Sequence, residues 1–243
     1  MQATVNPIIE TYSRLAKTYD DELNQKSCWS RAAQKALASV IIKDDYQLIL
    51  DVGCGTGRAL WYLACNSRPG IQFIGIDPAR NMRNRATERT KQNPNIKILD
   101  GGFEKIPLDS WSVDYMYSIF AFHWTTDLEA SVKEISRVLK PTAEIDLFFI
   151  GRNNGREFIQ RTSPIFLKYM GPALLLDSVR MRKQLKKEEA FQLFAAALPQ
   201  ERLSVEESYE TYYDSLEGHW GWWVRIEGQF LGIPADKREA CNR

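Results

Sequence analysis

An α/β fold, with a doubly wound, mostly parallel sheet and a helical cap, is what this sequence predicts. Three observations lead there. Between residues 47 and 150, short apolar runs alternate with stretches of helical periodicity. The first run opens into Gly53-Cys54-Gly55-Thr56-Gly57, and the next two end on Asp77 and Asp100. Strands separated by helices at this spacing pair in parallel through right-handed crossovers.

Each element follows in order. Ile8, Tyr12, Leu15, Tyr19 and Leu23 recur at helical spacing and predict one apolar-faced helix over 8–23. A second helix is predicted from Ser30 to Ile42, ended by Lys43-Asp44-Asp45. Residues 47–52 read as a buried strand, 58–66 as a helix, and Arg68-Pro69-Gly70 as a turn. A second strand covers 71–76 and ends at Asp77. A basic helix follows over 79–92, stopped by Asn93-Pro94. Strands are predicted at 96–99 and 113–118. Leu128, Val132, Ile135 and Leu139 share one side of a helix closed by Lys140-Pro141, and 144–150 is the fifth strand. Residues 155–200 are helical in character and carry a basic cluster, Arg180, Arg182, Lys183, Lys186 and Lys187. Leu203 to Tyr213 alternates loosely and predicts a sixth strand, and Asp214 to Leu231 a tryptophan-rich helix. The single domain thus divides into a helical lid (1–45), a ligand-binding core (46–150), a helical cap insertion (151–200) and a C-terminal strand with helices (201–243).

Composition narrows the function classes. Hydrophobic residues make up 44% and charged residues 26%, which excludes collagen, coiled-coil and disordered chains. Thirty-two basic against thirty-one acidic residues leave a net charge of +1, so no global basic field favours nucleic acid. No apolar run approaches the roughly 18–20 residues that span a bilayer. The first seven residues show neither part of a signal peptide. Cys28, Cys54, Cys65 and Cys241 form no CxxC pair, so a reduced, cytoplasmic setting is expected.

The glycine loop lies where a strand runs in and a helix leaves, the usual ligand position of open α/β sheets. A P-loop needs Lys-Ser/Thr after the last glycine, and Arg58-Ala59 stand there. The dinucleotide fingerprint needs glycine at 58 and meets Arg58. Asp51, two places before the loop, would repel a pyrophosphate and suits a ligand carrying an ammonium group. Asp77 is placed to accept both hydroxyls of a ribose. It is equally placed to cap the next helix, with Pro78 at the first helical position, and the two uses are compatible. Asp100 either meets an adenine amino group or serves as a turn residue before Gly101-Gly102.

Five motifs stand in order: Leu50-Asp51-Val52-Gly53-Cys54-Gly55-Thr56-Gly57, Gly75-Ile76-Asp77-Pro78, Asp100 with Ile106-Pro107-Leu108, Ser112-Val113-Asp114, and Arg137-Val138-Leu139-Lys140-Pro141. Through them, residues 46–150 resemble a class I S-adenosylmethionine-dependent methyltransferase of the small-molecule subgroup, with a Rossmann-like sheet. The resemblance implies that Asp51 and Gly53, Gly55 and Gly57 hold the methionine part of S-adenosyl-L-methionine. It implies Asp77, with Pro78 and Met82, for the ribose side, and Asp100, Gly101 and Phe103 for the adenine. Ser118, Phe120 and His123, after the fourth strand, would lie beside the methyl group. Thr142-Ala143 stand where the family has two glycines, a departure that bears on the turn there and not on the cofactor. The family's sheet has a sixth parallel and a seventh antiparallel strand. No seventh precedes Arg243, so the chain is read as cut short or with that strand replaced. Monomer and dimer both stay open, the dimer as a cover for the free edge.

Methyl transfer asks the protein to align a nucleophile and strip water, and a base only where the acceptor must lose a proton. His123 and Tyr19 are the candidate catalytic groups. His123 is either a base or orienting donor, or a wall of the pocket; the wall is the favoured reading. Tyr19 either packs in the core or closes over the sulfonium, whose charge a π face attracts. Tyr12, Trp29 and Trp124 join the expected acceptor pocket, and the C-terminal aromatics Tyr213 and Trp223 are either helix-sheet packing or part of it; such a pocket suits an apolar or aromatic metabolite methylated on O, N or C. Neither an Asn/Asp-Pro-Pro-Tyr/Phe tetrapeptide nor a Pro-Cys pair is present, which argues against a nucleic-acid acceptor. The basic cluster at 180–187 is either a solvated helix face or a dock for an acyl-carrier protein or coenzyme A thioester, as in malonyl-carrier methylation. A cofactor-binding protein without catalysis and a nicotinamide oxidoreductase are the rival classes.

Overall fold

A computed structural model describes residues 6–180, 182–213, 215–218 and 233–243. Five parallel strands form one sheet: β1 (Leu48–Val52), β2 (Gln72–Asp77), β3 (Ile96–Asp100), β4 (Val113–Ile119) and β5 (Leu139–Phe148), in the order β3-β2-β1-β4-β5. Alternation within the strands explains why both faces are covered. Leu50, Ile74 and Met116 point to one side, into a cluster with Val132 and Ile135 of α6 (Leu128–Val138) and Phe194 of α8 (Lys187–Ala195). Their neighbours Ile49, Phe73 and Tyr115 point to the other, against Leu60 and Leu63 of α4 (Arg58–Cys65) and Val40 after α3 (Cys28–Ser39). Burying each such side chain is worth roughly 1.5–3 kcal/mol, so a one-residue slip of any strand is strongly disfavoured. Helix α5 (Arg80–Thr90) packs on β3 and on α1 (Pro7–Leu15).

Several expectations need correction. The helix predicted over 8–23 ends at Leu15; α2 (Glu22–Gln25) restarts at Asp21, whose side chain caps Asn24 N–H. The chain between them turns so that Asp20 reaches partners far away in sequence, which outweighs the helical spacing of Tyr19. Pro78 is not the first helical residue, because α5 begins at Arg80 with Ala79 as N-cap. Strand β5 starts at Leu139, directly after α6. Its register against β4 jumps from Val113↔Leu139 to Tyr115↔Glu144, a bulge that absorbs Pro141-Thr142-Ala143. The Arg202 guanidinium donates to the carbonyls of Pro141 and Ala143 at 2.9 and 3.1 Å, holding this turn without glycine.

The sixth strand predicted at 203–213 does not form. Only Leu203, Val205 and Tyr212 there are partly buried, and Glu206, Glu207 and Glu210 break the apolar alternation that a strand needs. Among the described residues no strand follows β5. The cap is α7 (Arg156–Arg180), broken at Gly171 (φ 77°), followed by α8. The basic cluster is not a helix face, since Arg182, Lys183 and Lys186 fall in the connection between these helices. Most of the tryptophan-rich stretch, with Trp220, Trp222 and Trp223, lies outside the described residues.

Candidate active site

Strand order reverses at β1, from which the chain runs out to β3 and returns to β4. Such a reversal leaves a crevice at the carboxyl ends of β1 and β4. A cavity of about 980 Å³ opens there. That is large for a small-molecule site, with room for a nucleoside and a second reactant.

The glycine loop forms the floor. Gly53 and Cys54 N–H both donate to Ile76 C=O, at 2.8 and 3.0 Å, tying the loop to the end of β2. Gly53 has φ +79°, and a Cβ there would lie 2.2 Å from the Ala121 Cβ, so only glycine fits. Gly55 has φ +55°, yet a Cβ on it would meet nothing within 4 Å. That empty space belongs to the cavity, which Gly55 lines. Gly57 does not line it; it abuts Ala86 of α5 and closes helix packing.

Two buried carboxylates flank the loop. Asp77 accepts Gly55 N–H at 2.9 Å and Ala79 N–H at 2.8 Å, one on each oxygen. Each oxygen keeps a second lone pair for an incoming hydroxyl. Burial raises its pKa against these hydrogen bonds. Asp51, 3% exposed, is pushed up to about 7 by desolvation, opposed by the adjoining Tyr117 phenol. Among the described residues no cation faces Asp51. An acid so placed is satisfied as an anion only by a positive partner. Asp100 pairs with Arg83 at 2.9 Å and its side chain is 73% exposed, at the cavity rim.

The N-terminal segment closes one wall. Tyr12 and Tyr19 meet edge to face at 6.1 Å and pack on Met82 of α5. Asp20 accepts from Thr56 of the glycine loop at 3.1 Å and pairs with Arg89 at 2.7 Å, while Arg89 also donates to the Thr56 carbonyl at 2.8 Å. This clasp was not found from the sequence, because its members lie 33 to 69 positions apart and follow no period.

The opposite wall follows β4. Phe120 has φ +58° and meets Trp29 edge to face at 6.3 Å. His123 and Trp124 sit on a single 3-10 turn, Phe122–Trp124. His123 is 5% exposed, and its Nδ1 is buried without a hydrogen-bond partner among the described residues. Burial, and then the charge of Arg182, push its pKa down to about 3, so the ring is neutral over the physiological range. Burial likewise pushes the Tyr19 phenol up to about 12, and it raises Tyr12 further. Neither His123 nor Tyr19 is tuned as a base near neutral pH.

The cavity brings together Asp51, Gly53, Gly55, Asp77, Pro78, Met82, Asp100, Gly101, Phe103, Phe120, His123, Tyr12, Tyr19, Trp29 and Trp124. Phe103 does so from the core, stacked edge to face on Phe122 at 5.1 Å. Ser118 does not line the cavity: it is fully buried and its hydroxyl donates to Val52 C=O at 2.6 Å, a strut between β4 and β1. Tyr213 is 90% exposed and outside the cavity wall, because the segment carrying it is no strand. Trp223 lies outside the described residues. Arg182, Gln184 and Asn154 line the cap side; Arg182 was singled out from the sequence only within the basic cluster, and Gln184 and Asn154 not at all.

Residues 50–145 match the family model of a methyltransferase domain. Over 177 residues, 69% of this chain and 73% of the relative, the chain is 29% identical to the ubiquinone/menaquinone biosynthesis C-methyltransferase UbiE of Campylobacter jejuni. It is 29% identical over 154 residues, 60% of this chain and 51% of the relative, to a malonyl-[acyl-carrier protein] O-methyltransferase of Methylovorus. Among solved structures, the YcgJ protein of Bacillus subtilis superposes with TM-score 0.60 at 17% identity, covering 87% of this chain and 82% of its own. A methyltransferase structure from Thermotoga maritima gives 0.56 at 21% identity, over 77% and 79%. These two likenesses speak for the Rossmann-like fold.

Proposed function

We propose that the chain is a class I S-adenosylmethionine-dependent methyltransferase of the small-molecule kind, and that the cavity beside Gly55 holds the cofactor and an acceptor with an apolar or aromatic body. The observation that carries this reading is the pairing of open space over Gly55 with two buried acids, one of them without a cation among the described residues. In this reading Asp51 pairs with the cofactor's ammonium and Asp77 receives the ribose hydroxyls. Gly101 and the rim acid Asp100 border the adenine, and Met82 packs beneath. Bound there, S-adenosyl-L-methionine supplies an electrophilic methyl on a positive sulfur, and S-adenosyl-L-homocysteine is the product left behind.

The chain's own residues then orient and exclude water. Tyr12, Tyr19, Trp29, Phe120 and Trp124 wall the acceptor side with aromatic faces, which strip solvent and attract positive charge. His123 serves as a neutral wall and hydrogen-bond acceptor. A second reading, methylation of a carrier-bound or coenzyme A thioester, draws on the Methylovorus relative and on the basic connection at 182–187.

Titration calorimetry tests the cofactor assignment. S-adenosyl-L-homocysteine is expected to bind and NAD(P) not to. Asp77→Ala is expected to weaken that binding by roughly 1–3 kcal/mol, the scale of lost charge-assisted hydrogen bonds. An unchanged dissociation constant removes the ribose role. Labelled cofactor incubated with a cell extract separates an enzyme from a binding protein, since only the first yields methylated product.

A further inference from the structure

The cap side of the cavity carries a cation that no described residue balances. Arg182 lines the cavity, and its guanidinium makes no hydrogen bond or ion pair with any described residue. It lies over the Trp124 ring, 5.5 Å from the centroid. The chain that follows it is held there: Lys183 N–H donates to His123 C=O at 2.8 Å, and the Arg152 guanidinium donates to Gln184 C=O at 3.2 Å. No acid is among the groups that act on Arg182, and apart from the loop-flanking Asp51 and Asp77 the cavity's acids are committed elsewhere. Asp20 belongs to Arg89, Asp100 to Arg83, and Glu104 accepts from Thr125 and Thr126. Next to the guanidinium lies the buried His123, whose Nδ1 has no partner among the described residues either.

A desolvated arginine without an acid is costly, and a planar fork of donors fits a carboxylate or oxyanion. We propose that Arg182 recognises an anionic oxygen, a carboxylate or an ionised phenol, carried by the methyl acceptor. This rests on the reading of the cavity as a site shared by cofactor and acceptor. It gives the apolar body proposed above a charged end, set against the cap. It also fits the surrounding groups: an acceptor that arrives ionised needs no base, and neither His123 nor Tyr19 is tuned to be one.

The probes are pairs of closely similar shape and different charge: benzoate with benzamide, decanoate with decanamide, and 4-nitrophenolate with 4-nitrotoluene. Each is titrated into protein saturated with S-adenosyl-L-homocysteine at mildly alkaline pH. At least one anion is expected to bind about tenfold or more tightly than its neutral partner, the scale of hydrogen bonds to a charged group. Which pair responds separates carboxylate from phenolate. Arg182→Gln is expected to abolish the preference and Arg182→Lys to keep part of it, while both retain S-adenosyl-L-homocysteine affinity, which shows the fold intact. No preference in the wild type, or a preference that survives Arg182→Gln, overturns the proposal. So does a loss of S-adenosyl-L-homocysteine affinity in Arg182→Gln, which hands Arg182 to the cofactor's own carboxylate. If S-adenosyl-L-homocysteine fails to bind the wild type, the cofactor reading falls, and the same anion-against-amide comparison on ligand-free protein still decides Arg182.

Discussion

Asp51 is the residue whose environment asks most of the protein. Burial lifts its carboxyl from 3.8 to about 7, so the folded chain keeps a proton that the unfolded chain has released. Stability from this group is complete below about pH 4 and is lost as pH rises through about 7. A ligand ammonium reverses the preference by pairing with the anion. Binding of S-adenosyl-L-homocysteine below pH 7 is therefore expected to expel a proton, and affinity to fall as pH drops through that value. Calorimetry in buffers of different ionisation heat reads the released proton directly. Asp51→Asn should remove most of it; release that persists undiminished would move the linkage to Asp77, whose pKa is also raised. The sequence showed Asp51 as an acid two places before the glycine loop, suited to a ligand that carries an ammonium group. It could not give the burial, because that depends on strands β2 and β4 flanking β1.

At the scale of elements, the segment β1-loop-α4 joins packing and function through two glycines with opposite surroundings. Gly53 is closed by Ala121, so Gly53→Ala forces a backbone shift in an already left-handed turn. A loss of roughly 2–5 kcal/mol of stability is expected from overpacking and unfavourable φ together. Gly55→Ala carries only the backbone part, about 1–2 kcal/mol. Its new methyl enters space that the cofactor is proposed to use, and binding of S-adenosyl-L-homocysteine should weaken disproportionately. Thermal melts and calorimetry on both variants separate the two effects; equal losses of stability would remove the distinction. This element was legible because its information is local: an apolar run, three alternate glycines and a helix within eighteen positions of chain. The sixth strand was not legible. Leu203 and Val205 imitate a short alternation, and only the absence of a paired neighbour exposes the imitation.

Across the whole molecule, the lid is tied to the glycine loop through a partly buried clasp, beside the Ser13–Asn81 hydrogen bonds that join α1 to α5. Asp20, Arg89 and Thr56 join the N-terminal segment, α5 and the glycine loop. The pair is partly buried, at 18% and 27% side-chain exposure, so it exceeds an ordinary surface ion pair. Asp20→Asn is expected to weaken cofactor binding by about 1 kcal/mol and leave the sheet intact. Hydrogen exchange should quicken in residues 16–26 and stay unchanged in β1 and β4. Unaltered exchange in the lid would show that Tyr12, Tyr19 and Met82 hold it without the clasp.

The sequence by itself determined the local grammar of residues 47–150: which runs there are strands, where the chain must turn on glycine, and which strands end in acids. Those features depend on neighbours a few positions apart, and period and spacing record them. Only the tertiary structure decided that Ser118 is a strut, that Tyr213 faces solvent, that Asp20 reaches Arg89, and that Arg182 stands over Trp124. These depend on contacts between residues tens of positions apart, each made possible by the strand order and by the turn that ends the first helix at Leu15. No pattern along the chain encodes such contacts, because the energy that fixes them belongs to the packed whole.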